Sequence, residues 1–169
     1  MTMHLIIDGY NVIRQSQELQ LLDARELEAG REALLARLAA YRERHRHQIT
    51  VVFDGWLGGE PKETRDRRQG MLIIYSRLGE KADEVIKRLL AADRQRAVVV
   101  TSDREIQAWA QGVGAAWIAA GQFELQHLLA REGEAAEDSD DTGTRAPKKG
   151  PARRLPKAQR RRQHRLKKL

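Results

Sequence analysis

The chain contains no cysteine, which excludes disulfides, thiolate zinc centres and cysteine nucleophiles. It also has no long hydrophobic run. The N-terminal apolar stretch Leu5–Ile7 stops at Asp8, too short for a signal peptide or a membrane span. There is no phosphate-binding P-loop and no internal repeat, and the G-V-G at Gly112–Gly114 lacks the rest of a dinucleotide fingerprint. These absences point to a soluble cytoplasmic protein with no membrane partner.

What is present is charge, unevenly spread. The 169 residues carry a net +7. Residues 1–131 are almost balanced at +1, residues 132–142 hold six acids and no base, and residues 145–169 hold twelve bases and no acid. The first segment, with most of the apolar residues, reads as one domain over 1–131. Residues 132–169 lack an apolar pattern and read as an acidic-then-basic tail, disordered when free, whose basic end could become helical on a partner. Twelve clustered bases suit a polyanion such as RNA.

Four continuous apolar runs, His4–Ile7, Ile49–Phe53, Met71–Tyr75 and Ala97–Thr101, predict parallel strands covered on both faces, and Ala115–Ile118 is a fifth. Helical spacing follows from Leu27 to Tyr41, with Asp23 and Glu26 as its start signal, and from Ala82 to Leu90. A third helix opens with the capping pair Ser102 and Glu105 and ends near Gly112, and a fourth runs from about Gln122 to Arg131. The alternation predicts an α/β fold with a parallel, doubly wound sheet of about five strands. The glycine- and charge-rich segment 56–70 reads as a mobile loop.

Position makes the aspartates informative. Asp8 follows strand one in L-I-I-D-G, Asp54 follows strand two in V-V-F-D-G, and Asp103 follows strand four in V-V-T-S-D. The C-terminal ends of parallel strands lie on one edge, where open α/β sheets bind ligands. Asp83, in the first turn of the next helix, can face the same crevice. Clustered carboxylates repel one another, and a hard dication such as Mg2+ or Mn2+ relieves that repulsion. Such an ion can activate water and stabilise a phosphodiester in displacement. Each acid also has a plainer reading. Asp8 and Asp54 precede glycine as turn residues do, Asp103 sits at a helix start, and Asp83 could pair with Lys87.

The segments I-I-D-G-Y-N-V-I, V-V-F-D-G, G-E-K-A-D-E-V-I and V-V-T-S-D-R-E, in this order from about Met3 to Leu129, resemble the YacP-like branch of the NYN-domain family, relatives of the PIN-domain nucleases. The resemblance implies a three-layer PIN-like fold with the first strand at its centre. It also implies Mg2+- or Mn2+-dependent endoribonuclease activity leaving a 5′-phosphate. It carries metal-ligand or catalytic roles onto Asp8, Asp83 and Asp103, adds Asp54 to the acidic ring, and matches Asn11 to the motif asparagine. That amide could hold the loop after strand one, bond a metal-bound water, or simply form a local turn.

RNA-holding groups are expected among Lys62, Arg65, Arg67, Arg68 and Arg104, and in the tail at Arg153, Arg154, Arg160, Arg161 and Arg162. Trp56 and Tyr10 could stack on an unpaired base or pack at the core edge. The RNA could be ribosomal or ribosome-bound. The competing reading is a catalytically silent RNA-binding or ribosome-docking module. A phosphoaspartyl hydrolase is disfavoured, because no second aspartate stands two residues after Asp8. His45 and His47, two apart at a helix end, are expected to face different directions, and no histidine is assigned to metal.

Overall fold

Strand β1 (His4–Asp8) is buried along its whole length, as an uninterrupted apolar run must be when both faces of a sheet are covered. In the computed structural model, which describes residues 2–55, 59–129 and 156–169, it lies inside a six-stranded sheet. The other strands are β2 (Gln48–Phe53), β3 (Thr64–Arg68), β4 (Met71–Tyr75), β5 (Ala97–Val100) and β6 (Ala116–Ile118). The order is β3-β4-β2-β1-β5-β6. All neighbours are parallel except the β3–β4 pair. Among the five parallel strands β1 is the middle one, and the chain reverses its direction of travel across the sheet there.

Helices cover both faces and make three layers. Helices α1 (Gly9–Gln15), α2 (Gln17–Arg25) and α3 (Leu27–His45) lie on one side, with α6 (Ala120–Phe123) and the π-helical turn Glu124–Leu128. Their core includes Val12, Leu34, Leu38, Tyr41 and Phe123 against Leu5, Ile7, Val51 and Phe53. Helices α4 (Ala82–Ala92) and α5 (Arg104–Val113) cover the other side, packing Val85, Ile86, Leu90 and Ile106 against Ile6, Val52 and Val99. No helix among the described residues is long and apolar enough to cross a membrane.

Several elements depart from the sequence reading. The expected helix start at Asp23 lies inside α2, whose N-cap is Ser16, and Glu26 separates α2 from α3. Helix α5 is capped by Asp103 rather than Ser102: the Asp103 carboxylate accepts from the amides of Glu105 and Ile106, and Ser102 Oγ instead accepts from Ala120 N–H. Part of the expected loop 56–70 is strand β3, closed onto β4 by Gln69 (φ 50°) and Gly70 (φ 76°). Two successive positive φ values are what a two-residue hairpin turn requires.

The end of the segment expected to be disordered is a helix, α7 (Lys157–Leu166), docked on its own domain. Arg162 lays its guanidinium over the Trp117 ring, 3.5 Å from the centroid, and donates from Nε to Trp117 O. Trp117 belongs to the edge strand β6, so this contact covers an otherwise open strand edge. Arg165 donates to the carbonyls of Arg94 and Gly114, and buried Leu169 accepts at its carbonyl from Tyr41 Oη. The Lys168 carbonyl accepts from His47 Nε2, and Arg94, Gly114 and His47 precede β5, β6 and β2. Helix α7 therefore sits at the edge where the parallel strands begin.

Candidate active site

The acidic cluster is built at the opposite edge, where the parallel strands end. Asp8 is the last residue of β1, and Asp103 caps the helix that follows the neighbouring β5. These two strands flank the reversal point, where an open α/β sheet forms its crevice. Side chains alternate along a strand, so Asp8 shares the face of Ile6 and points to the α4/α5 side. Helix α4 crosses that side carrying Asp83 in its first turn.

A threonine ties the two strand ends together. Thr101 Oγ1 donates to Asp8 Oδ2 at 2.9 Å and accepts from Asp103 N–H at 3.1 Å. Its carbonyl accepts from Gln107 Nε2 at 2.8 Å. Asn11 completes the clamp: its Oδ1 accepts from Ser102 N–H at 2.8 Å, and its backbone N–H favours the ionised form of Asp8. Its side chain joins the first turn of α1 to the β5–α5 loop 91 residues away and is not used in a local turn. Thr101 and Gln107 carry no signal that the sequence reading could use, because a β-branched residue at a strand end looks like an ordinary sheet former.

Close approach explains the glycines after the two strand-end aspartates. A Cβ on Gly9 would lie 2.4 Å from the Phe53 ring, and one on Gly55 would lie 2.0 Å from Ser76 O. Gly9 opens α1 directly and forms no turn of its own.

Burial pushes the Asp8 carboxyl up from the usual 3.8 to about 6; the Asp83 and Asp103 charges push the same way, against the Thr101 hydrogen bond. Asp83 is also raised, by burial and then by the Asp103 charge. Three carboxylates from three chain segments thus feel one another. Lys87 attracts Asp83 electrostatically, as the plain reading expected, while its Nζ makes its 2.6 Å ion pair with Glu105 across α4 and α5. Asp54 stands exposed on the same edge, after β2. Among the described residues no three acidic or histidine side chains are drawn close enough to form a ready-made metal centre. The donors are nevertheless hard carboxylate oxygens under mutual repulsion, the chemistry that suits a hydrated Mg2+ or Mn2+ ion.

The expected RNA-holding groups scatter. Arg104 follows Asp103 and is exposed beside the acids. Lys62 precedes β3 near the same edge. Because β3 runs antiparallel, Arg67 and Arg68 pair with Leu72 and Met71, at the far end of β4. Arg65 pairs with Glu63, and Arg68 with Glu32 and Asp66. Arg160 and Arg161 are exposed on α7, whereas Arg162 is taken up by Trp117. Arg153, Arg154 and Trp56 lie outside the described residues. His45 and His47 do not diverge: Arg46, at φ 53°, turns the chain between them, and their rings stack 5.9 Å apart.

The YacP-like NYN domain family matches residues 5–168. The chain is 36% identical over 111 residues to the uncharacterized protein YacP of Bacillus subtilis (strain 168), a match covering 63% of each chain. It therefore spans somewhat less than two thirds of that relative. Two crystal structures of Rae1 (YacP) from Bacillus subtilis are similar. One, a tryptophan-to-leucine mutant, has a TM-score of 0.60 at 29% identity over 70% of each chain. The other has a TM-score of 0.57 at 31% identity over 71% of this chain and 70% of that one. The mostly parallel six-stranded sheet flanked by helices agrees with these neighbours: the chain belongs to the YacP-like NYN domain family, within a nuclease superfamily.

Proposed function

We propose that this chain is a metal-dependent endoribonuclease that hydrolyses RNA phosphodiester bonds at the edge formed by Asp8, Asp83 and Asp103. The observation that carries the reading is the convergence of these acids, from three separate segments, around a buried Asp8 whose carboxyl is raised to about 6. A fold that needed them only for stability would gain by replacing at least one, because buried like charges are costly. When bound, Mg2+ or Mn2+ would neutralise the carboxylates, acidify water and offset charge on the phosphodiester.

The chain's own groups prepare the site. Thr101 fixes the Asp8 rotamer through Oδ2, and the same hydroxyl holds the Asp103 backbone. Asp103 spends Oδ1 on capping α5, which fixes its carboxylate and leaves Oδ2 outside the cap. Asn11 keeps the start of α1 and the β5–α5 loop in register. Arg104, beside Asp103, is placed to meet a substrate phosphate. Asp54 joins the ring as an outer carboxylate.

The test incubates the full chain with labelled RNA and Mn2+, with and without EDTA, beside Asp8→Asn and Asp83→Asn. Metal-dependent cleavage that both substitutions abolish supports the proposal. RNA binding without cleavage by any form would identify a silent docking module on ribosomal or other RNA instead.

A further inference from the structure

On the other side of the same edge lies a group that the acidic site does not use. Tyr10, two residues after Asp8, accepts at its hydroxyl from Arg31 Nη1 of α3 at 3.2 Å. The Arg31 guanidinium also lies 5.7 Å from the centroid of the Tyr75 ring. Tyr75 ends β4, at the edge where the acids collect, and alternation places it with Met71 and Ile73 on the α3 side. Phe53 is the buried floor, meeting Tyr10 edge-on at 5.2 Å and stacking on Tyr75 at 5.5 Å. Tyr10, Arg31 and Tyr75 themselves are only half-buried.

The chemistry of this group is unusual for the molecule. Arg37, Arg68 and Arg88 spend their guanidinium groups on carboxylates. Arg31 addresses two phenol rings, and the Glu28 carboxylate one turn earlier on α3 acts on it only through space. Tyr10, accepting from Arg31, keeps its own O–H proton to donate. A cation, a hydroxyl donor and the solvent-facing rim of an aromatic ring thus lie together beside the acids, a combination suited to a backbone phosphate and an unpaired base.

We propose that Arg31, Tyr10 and Tyr75 form a subsite for the nucleotide adjoining the scissile phosphate of single-stranded RNA: the guanidinium and the Tyr10 hydroxyl take a backbone phosphate, and the rim of the Tyr75 ring packs against the base. The assignment rests on the nuclease reading for the word scissile alone. A strand crossing the sheet edge from the α4/α5 side to the α3 side passes from Asp8 to Tyr10 within two residues of protein chain. A duplex would present paired, stacked bases and could not use the ring.

The experiment measures binding of a short fluorescent single-stranded RNA by the full chain in EDTA over a salt series, alongside a copy with abasic positions. Arg31→Ala is expected to weaken binding about fivefold to tenfold and to flatten the salt slope by about 0.7, the loss of one single-strand phosphate contact. Arg31→Lys is expected to restore the slope. Tyr75→Leu is expected to weaken binding about fivefold or more on the intact strand and not on the abasic one. Thermal melts of each variant separate binding from folding. Wild-type affinity and slope in Arg31→Ala, an affinity loss with no change in slope, equal Tyr75→Leu losses on both strands, or no binding by the wild type would each overturn the subsite. Cleavage is scored separately in Mn2+. Cleavage with a silent Arg31 refutes the subsite alone, and Arg31-dependent binding with no cleavage refutes the nuclease alone.

Discussion

Replacing Asp8 with asparagine should make the metal-free protein more stable at neutral pH. Asp8 is 8% exposed, so little solvent screens its charge. Its carboxyl rises from the usual 3.8 to about 6 on folding, through burial and then through Asp83 and Asp103. A folded-state value above the unfolded one favours the native state at low pH. That contribution is fully present below about 3.8 and is lost as pH rises through about 6. The loss amounts to about 3 kcal/mol at about 1.4 kcal/mol per pH unit. Asparagine is neutral throughout, and its amide oxygen can still accept from Thr101 Oγ1, so it avoids that loss. For a chain of this size the gain corresponds to about 6–12 °C in Tm at pH 7.5 in EDTA. The assay is a pair of thermal melts from pH 4 to pH 8. The gap should close towards pH 4, and Mn2+ should stabilise the wild type by about 2.7 kcal/mol at a hundred times its Kd, leaving the variant largely unmoved. A variant no more stable than wild type at pH 7.5, or a gap that persists at pH 4, would show that Asp8 is not held ionised at a cost.

Thr101→Val removes the hydroxyl shared by Asp8 and the Asp103 amide; it should cost about 1.5–3 kcal/mol in denaturant melts and slow single-turnover cleavage, with Thr101→Ser restoring most of both. Cleavage at sub-saturating Mn2+ should fall as pH drops through about 6, because protons and metal compete for Asp8 and the raised Asp83, and more Mn2+ should move the inflection to lower pH. Deleting residues 156–169 uncovers Tyr41 and Trp117 and removes buried Leu169; circular dichroism melts should show a loss of roughly 2–4 kcal/mol, whereas an unchanged Tm would mean that α7 is no part of the domain.

The strands legible in the sequence were those whose burial is two-sided. β1, β2, β4 and β5 are continuous apolar runs, and such runs have few alternatives to a covered parallel sheet. Parallel geometry then gathers Asp8 and Asp103 whatever the strand order, so the acidic edge could be read without knowing the topology. β3 was illegible for the converse reason. Thr64–Arg68 is exposed at every residue, and its pairing depends on the Gln69–Gly70 backbone, with Gln69 an uncommon residue for such a turn. α7 escaped because no apolar stripe docks it. Its anchors are Arg162 on Trp117, Arg165 on two carbonyls, and the terminal Leu169, none of which registers as helical periodicity. Arg31 was missed because its partners, Tyr10 and Tyr75, lie 21 residues before it and 44 after it.

The separation of charge bears on how RNA could reach the acids. Clustered aspartates repel a polyanion, and the exposed bases Arg160 and Arg161 of α7 lie at the edge where the parallel strands begin, across the sheet from Asp8. At physiological salt the Debye length is about 8 Å, whereas a five-residue strand alone spans roughly 16 Å. Attraction by α7 is therefore screened at the acids, and that helix can concentrate RNA near the protein without seating a phosphate in the crevice. Seating has to come from cations at the carboxylate edge itself, where Arg104 stands on one face of the sheet and Arg31 on the other. A protein arranged this way should lose overall affinity when α7 loses its charge and lose correctly placed substrate when Arg31 or Arg104 is changed. The two kinds of substitution should therefore separate in kinetics: the first acts in KM alone, and the second also lowers the single-turnover rate at saturating RNA.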